Sequence, residues 1–189
     1  MGLPPSGGAA SVPAMPTTRF VTDSSLDLLA RRLRCLGYDV VTVRGARLEE
    51  LFEYGDREGR AVLTSSGRHP RRWAAVPALR VERERPEEAV RTIAAGYEPA
   101  GAPFSRCAAC GSPLQRRHPL EAQGEVPGRV IRSNRELRYC AACAKWYWEG
   151  SHVARIRAWL EAALGRPLPG EPPPAAGATG GAPAPPGTP

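Results

Sequence analysis

The sequence predicts an α/β domain built on a parallel sheet, followed by a small zinc-binding unit and a closing helix. Two observations carry this. Short continuous apolar runs alternate with amphipathic stretches across residues 18–98, the pattern of strands buried on both faces and joined by helical crossovers. Farther along, Cys107-Ala-Ala-Cys110 and Cys140-Ala-Ala-Cys143 repeat one C-x-x-C spacing, which can bring four thiolates to a tetrahedral ion.

The elements follow in order. Arg19-Phe-Val-Thr22 reads as a strand ending at Asp23, and Ser24 or Ser25 can cap the helix after it. Leu26, Leu29, Ala30, Leu33 and Leu36 recur at helical spacing, with Arg31, Arg32 and Arg34 off the stripe and Gly37 closing the end. Val40–Val43 is a second strand, and Leu48–Glu58 a second helix with Leu51 and Phe52 inward and Gly59 at its end. Ala61–Thr64 is a third strand, followed by a polar turn and a short helix near 71–75; Ala78–Val81 is a fourth. Pro86 opens a further helix, where its missing N–H costs nothing. The zinc unit spans 104–150. The closing helix runs from Ser151, its expected cap, to Leu164, with Gly165 ending it and Val153, Ile156, Leu160 and Leu164 on one face.

Both ends differ in composition. Residues 1–17 and 166–189 are dominated by Pro, Gly, Ala, Ser and Thr, too little apolar surface to offset ordering entropy, so both are expected as unfolded tails. No apolar run approaches a membrane span and no export-signal pattern opens the chain, so a cytoplasmic location is expected. That setting favours zinc over the alternative of two disulfides, and a redox role would need only one C-x-x-C. Gly111 after Cys110 suits a knuckle turn with positive φ, and Cys35 on the apolar helical stripe reads as a buried free thiol.

The net charge of +7 rests on 25 Arg and a single Lys, Lys145, and attracts polyanions, nucleic acid first among them. Enrichment of Ala, Pro and Gly alongside Arg shows a compositional bias that supplies part of this charge without functional demand.

Candidate chemistry sits beyond the carboxyl ends of the strands. Asp23 ends the first strand and is placed either to hold a hard cation or to cap the next helix. Glu49 and Glu50 open the second helix and can reach the same cleft or serve its dipole. Asp39 precedes the second strand and falls at the opposite edge, in a turn role. Arg68, His69, Arg71 and Arg72 form a basic turn, read as phosphate contacts or as a solvated charged face. Trp146-Tyr147-Trp148 follows the second knuckle and can stack on bases or pack the ribbon. His152 suits a helix-end hydrogen bond, since four cysteines already complete a structural site.

Arg19-Phe-Val-Thr-Asp23, Leu33-Arg-Cys-Leu-Gly-Tyr-Asp39, Gly59-Arg-Ala-Val-Leu-Thr64, the two C-x-x-C pairs and Tyr147-Trp-Glu-Gly-Ser-His152 occur in this order. Together they resemble the Mut7-C family, a PIN-like RNase domain with a C-terminal zinc ribbon. The resemblance covers nearly all of 18–157. It implies a PIN-like three-layer α/β fold, RNA as partner, structural Zn²⁺ at Cys107, Cys110, Cys140 and Cys143, and metal-dependent endoribonuclease activity with Mg²⁺ or Mn²⁺ held by acidic residues at strand ends. Asp23 matches the family's first acidic position. The departure is Ser66: the family reads Leu-Thr-Arg-Asp where this chain reads Leu-Thr-Ser-Ser. Serine is a neutral, weak ligand and does not replace a carboxylate on Mg²⁺. Compensation by Glu49 or Glu50 is one expectation. A non-catalytic RNA- or ribosome-binding module is the other.

Overall fold

The computed structural model describes residues 19–170; the expected tail over 1–17 and most of that over 166–189 lie outside them. Four parallel strands, β1 (Phe20–Asp23), β2 (Val40–Val43), β3 (Ala61–Thr64) and β4 (Ala78–Arg80), form a sheet in the order β2-β1-β3-β4. The connections are α1 (Asp27–Cys35), α2 (Leu48–Glu58) and a 3₁₀ turn at Arg71–Trp73; α3 (Pro86–Gly96) follows β4.

Side chains alternate across the sheet and set the layers. Phe20, Val40 and Leu63 face α1 and α3, packing with Leu29, Leu33, Val90 and Ile93. Val21 and Val62 face the other way, against Leu51 and Phe52 of α2. The result is the expected three-layer α/β fold. Thr22 is fully buried on β1 and its hydroxyl donates to the Leu63 carbonyl at 2.9 Å.

The ribbon is a second, antiparallel sheet: β5 (Gln115–Arg117), β6 (Leu137–Cys140) and β7 (Lys145–Tyr147) in the order β5-β6-β7, with α4 (Gly128–Ser133) before β6. Its own small core is Ala122, Val126, Val130 and Leu137. The closing helix α5 (Ser151–Leu164) returns to the first domain, where Leu160 and Ala163 join the α1–α3 core.

Local expectations fail where a backbone or tertiary partner outcompetes the anticipated one. Asp23 takes up the capping reading offered for it and displaces Ser24 and Ser25 from that role, its Oδ1 accepting from the Ser25 N–H at 2.7 Å. Gly150, with no side chain to offer, stands at the cap position of α5 in place of Ser151. The third strand-to-strand helix shrinks to Arg71–Trp73, and β4 stops at Arg80. Leu168, expected in the tail, is 9% exposed in the main core, and its N–H donates to Glu161 at 3.1 Å.

The largest departure is Arg34. Placed off the apolar stripe by spacing, it is 1% exposed. Its Nε donates to the Val40 carbonyl at 2.9 Å and Nη2 to the Thr42 hydroxyl at 2.7 Å. Nη1 reaches the carbonyls of Ala108 and Ala109, inside the first knuckle, at 3.1 and 2.9 Å. Periodicity marks which helix face is turned inward, but not that a second domain will dock over the helix end and bring carbonyls for a cation.

Candidate functional site

Two sites emerge, one at each end of α1. The first is a candidate metal centre, the four-cysteine cluster. Gly111 (φ +85°) and Ala144 (φ +49°) each follow the second cysteine of a knuckle, so both knuckles turn back through the left-handed region. At Gly111 a Cβ would also meet the Val40 carbonyl at 2.7 Å, so glycine allows the knuckle to sit against β2. The four Sγ atoms lie within 4.8 Å of one another, with Cys110–Cys140 at 3.5 Å and Cys107–Cys143 at 4.0 Å. These separations exceed a disulfide bond. They bracket the S···S edge of about 3.8 Å that four ligands at Zn–S distance make in a tetrahedron, so the sulfur set fits Zn²⁺.

The surroundings single out Cys110 for deprotonation, while Cys143 is pushed up to about 12 by its hydrogen bond with Cys110 and by burial, and burial raises Cys140. Burial raises the Cys110 thiol, but hydrogen bonds from the Ser112 hydroxyl and backbone, with those of the neighbouring thiols, outweigh it and bring Cys110 down to about 6. The Tyr147 hydroxyl lies 3.0 Å from Cys107 Sγ. With Zn²⁺ bound, four thiolates would leave a net charge near −2, and the buried guanidinium of Arg34 lies beside this cluster, bonded to the knuckle carbonyls of Ala108 and Ala109. Burial lowers its pKa, while Asp27, Cys110 and Cys107 act to raise it.

The second site is the carboxyl edge of the parallel sheet. The chain leaves β1 toward β2 on one side and returns to β3 on the other, so the topological switch point lies between β1 and β3, where open α/β sheets gather ligands. Asp23 and the Thr64-Ser65-Ser66 turn flank it. One oxygen of Asp23 is engaged by Ser25; the other has no partner among the described residues. Ser66 is folded into its own turn, accepting from the Arg68 N–H at 3.1 Å while its N–H donates to Thr64 Oγ1 at 3.0 Å. Asp27, at the start of α1, was not singled out from sequence. Its Oδ2 pairs with Arg31 at 3.0 Å, and its buried Oδ1 lacks a hydrogen-bond partner, as does Ser25 Oγ. Asp27 sits four residues after Asp23, the one sequence signal that could have marked it.

The remaining acids lie on α2. Glu50 closes a capping box, accepting from the Arg47 N–H at 2.9 Å. Glu49 lines a surface cleft with Arg68, His69, Arg71 and Arg72. The four cysteines are the one group of three or more Cys, His, Asp or Glu side chains close enough to share an ion among the described residues, and Asp23, Glu49 and Glu50 do not form another. Around Asp23 the edge is basic: Arg44 follows β2, Arg80 ends β4, and Arg68 follows Ser66. Arg72 lies over the Trp73 ring at 5.2 Å, and His69 packs on Phe52 at 4.7 Å.

Asp39 sits at the opposite edge as expected, paired with Arg60 at 2.8 Å and reaching Arg106 of the ribbon at 3.9 Å. Trp146 packs into the ribbon, its ring 4.7 Å from Tyr139 and its indole N–H donating to Glu125 at 2.9 Å. Trp148 is 37% exposed. His152 makes no hydrogen bond among the described residues, contrary to the helix-end role expected of it, because it is turned toward a cavity between ribbon and α5.

A family profile described as the Mut7-C RNAse domain matches residues 18–160, more than half of the chain. The chain belongs to the Mut7-C family. Neither a curated protein nor a solved structure matches it significantly. The Mut7-C match takes in both sites, the switch point at Asp23 and the four cysteines, along with most of α5. No helix among the described residues of this Mut7-C chain is long and apolar enough to cross a membrane.

Proposed function

We propose that this chain is a cytoplasmic, metal-dependent endoribonuclease of low turnover that works at the β1–β3 switch point. The observation that carries this reading is a strand-end carboxylate, Asp23, at the β1–β3 switch point of a Mut7-C RNAse domain, on a sheet edge where Arg44 follows β2, Arg80 ends β4 and Arg68 lies two residues past Ser66. Mg²⁺ is commonly held by one or two carboxylates together with substrate phosphate, so Asp23 with its free oxygen fits that ion, or Mn²⁺, in the presence of RNA. When bound, the ion would activate water and stabilise charge on the cleaved phosphodiester. Glu49, and Glu50 once released from its cap, would assist on the flank. Arg68, Arg71 and Arg72 would hold backbone phosphates and so orient the strand across Asp23. Zn²⁺ at the four cysteines would be structural.

Ser66 favours a second reading, RNA binding without cleavage. Its hydroxyl is engaged within its own turn, and it adds no charge opposite Asp23. Cleavage of a mixed single-stranded RNA pool with Mn²⁺ or Mg²⁺, wild type against Asp23→Asn, separates the two. Cleavage lost in the variant supports the nuclease. Salt-sensitive binding with no cleavage by wild type supports the binding module.

A further inference from the structure

The cavity between the ribbon and α5 borders the four-cysteine cluster through Ala108 and Tyr147, but none of those four cysteines lines it. It measures about 340 Å³, at the small end of ligand pockets, and Cys35 at the far end of α1 forms part of its floor. Its walls combine two kinds of surface. Trp148 brings an aromatic face and Val153 and Ile156 aliphatic surface, Phe104 is already stacked under Arg157, and Asn134 and Arg135 stand with them in the lining. Trp148 is one of three exposed large apolar side chains among the described residues, and its indole N–H has no acceptor there. The Arg135 guanidinium is exposed and likewise without a partner among the described residues. Asn134 donates through Nδ2 to the Val130 carbonyl at 2.9 Å, which leaves its amide oxygen open. Of the two acids in the lining, Glu136 is already paired with Arg116 at 3.4 Å, and Glu149 is exposed with no ion pair among the described residues.

A flat heteroaromatic ring bearing hydrogen-bonding groups and joined to an anion satisfies all three features. We infer that this cavity binds a nucleotide, its base stacked on Trp148 and edge-bonded to Asn134, its phosphate on Arg135. Aromatic stacking combined with guanidinium contact is how unpaired bases are held in general. The source is either a free nucleotide or one unit of an RNA strand, and the second rests on the function proposed above. The cavity and Asp23 lie at opposite ends of α1, about 13 Å apart along its nine residues, so it is a remote hold on a strand and not part of the cleavage site.

The test uses zinc-loaded, ¹⁵N-labelled full chain, with the Trp148 indole resonance assigned by its loss in Trp148→Phe. AMP, UMP, CMP and GMP are titrated singly, then a seven-nucleotide single-stranded RNA without divalent metal. A saturable shift of the Trp148 indole is expected. Arg135→Ala should weaken nucleotide binding at least fivefold and leave nucleoside binding unchanged. Val153→Trp, which fills the cavity, should abolish the shift with the ribbon still folded. If RNA binds by mobility shift while the Trp148 indole stays fixed, the cavity inference falls and the RNA reading stands. If RNA does not bind but mononucleotides move the indole, the site takes free nucleotides and the RNA reading falls. If neither ligand moves it and RNA does not bind, both fall.

Discussion

Arg34→Ala is the sharpest perturbation the fold offers. The side chain is 1% exposed and donates to four acceptors, three of them backbone carbonyls, on two domains. Each buried carbonyl left without a donor costs about 1–3 kcal/mol. Relief of the guanidinium's own desolvation offsets part of that sum. The net loss should resemble the removal of one partner from a buried ionic contact, about 3–5 kcal/mol. At about 2–4 °C per kcal/mol for a domain of this size, the melting temperature should fall by about 6–20 °C. Arg34→Lys keeps the charge but lacks the planar fork, and should recover less than half of the loss. Because two acceptors are the knuckle carbonyls of Ala108 and Ala109, zinc should also leave faster. Urea unfolding with a colorimetric zinc-release assay measures both. A loss below about 1 kcal/mol with unchanged zinc release would refute the argument that this cation joins the two domains.

Four further outcomes follow. Cys107→Ser, or prolonged chelation, should abolish zinc stoichiometry and unfold the ribbon by circular dichroism, since binding energy of about 10–16 kcal/mol in such sites is also folding energy. Ser66→Asp keeps a turn acceptor and adds charge near Asp23, and should tighten Mn²⁺ binding about tenfold by calorimetry; no change would mean that position 66 does not face the crevice. Cys35 is raised to about 11 by burial, so the folded state holds its proton above pH 9 where the unfolded thiol loses it. Stability should therefore decline as pH rises from about 9 toward 11, a trend that Cys35→Ala should flatten in pH-dependent melts. Ala144 holds φ +49°, and Ala144→Gly should raise stability by about 0.5–1 kcal/mol in the same assay.

The sequence made the sheet legible because its strands are uninterrupted apolar runs and its helices end at glycines, Gly37, Gly59 and Gly165, which all adopt positive φ. The four-cysteine cluster was equally open, since ligand chemistry and knuckle spacing are both local. What stayed hidden depends on contacts distant in sequence. Arg34 looked like a solvent-facing residue because two of its four acceptors are supplied by a knuckle 74 and 75 residues away. Trp146 and Trp148 looked equivalent, yet only the former finds a partner ring and Glu125 in the ribbon. Asp27 went unnoticed because a helix-start acid is ordinarily a dipole partner, and only burial of its second oxygen without a donor sets it apart.

The link through Arg34 also bears on how the chain assembles in time. Its partners on β2 lie within 8 residues, whereas those in the knuckle emerge much later during synthesis. The sheet can collapse early from near-neighbour strands, but desolvation of the guanidinium must wait for a long loop to close and for the knuckle to be set by metal. Refolding should thus end in a step whose rate follows free zinc concentration, which makes metal supply the pacemaker of the final compaction.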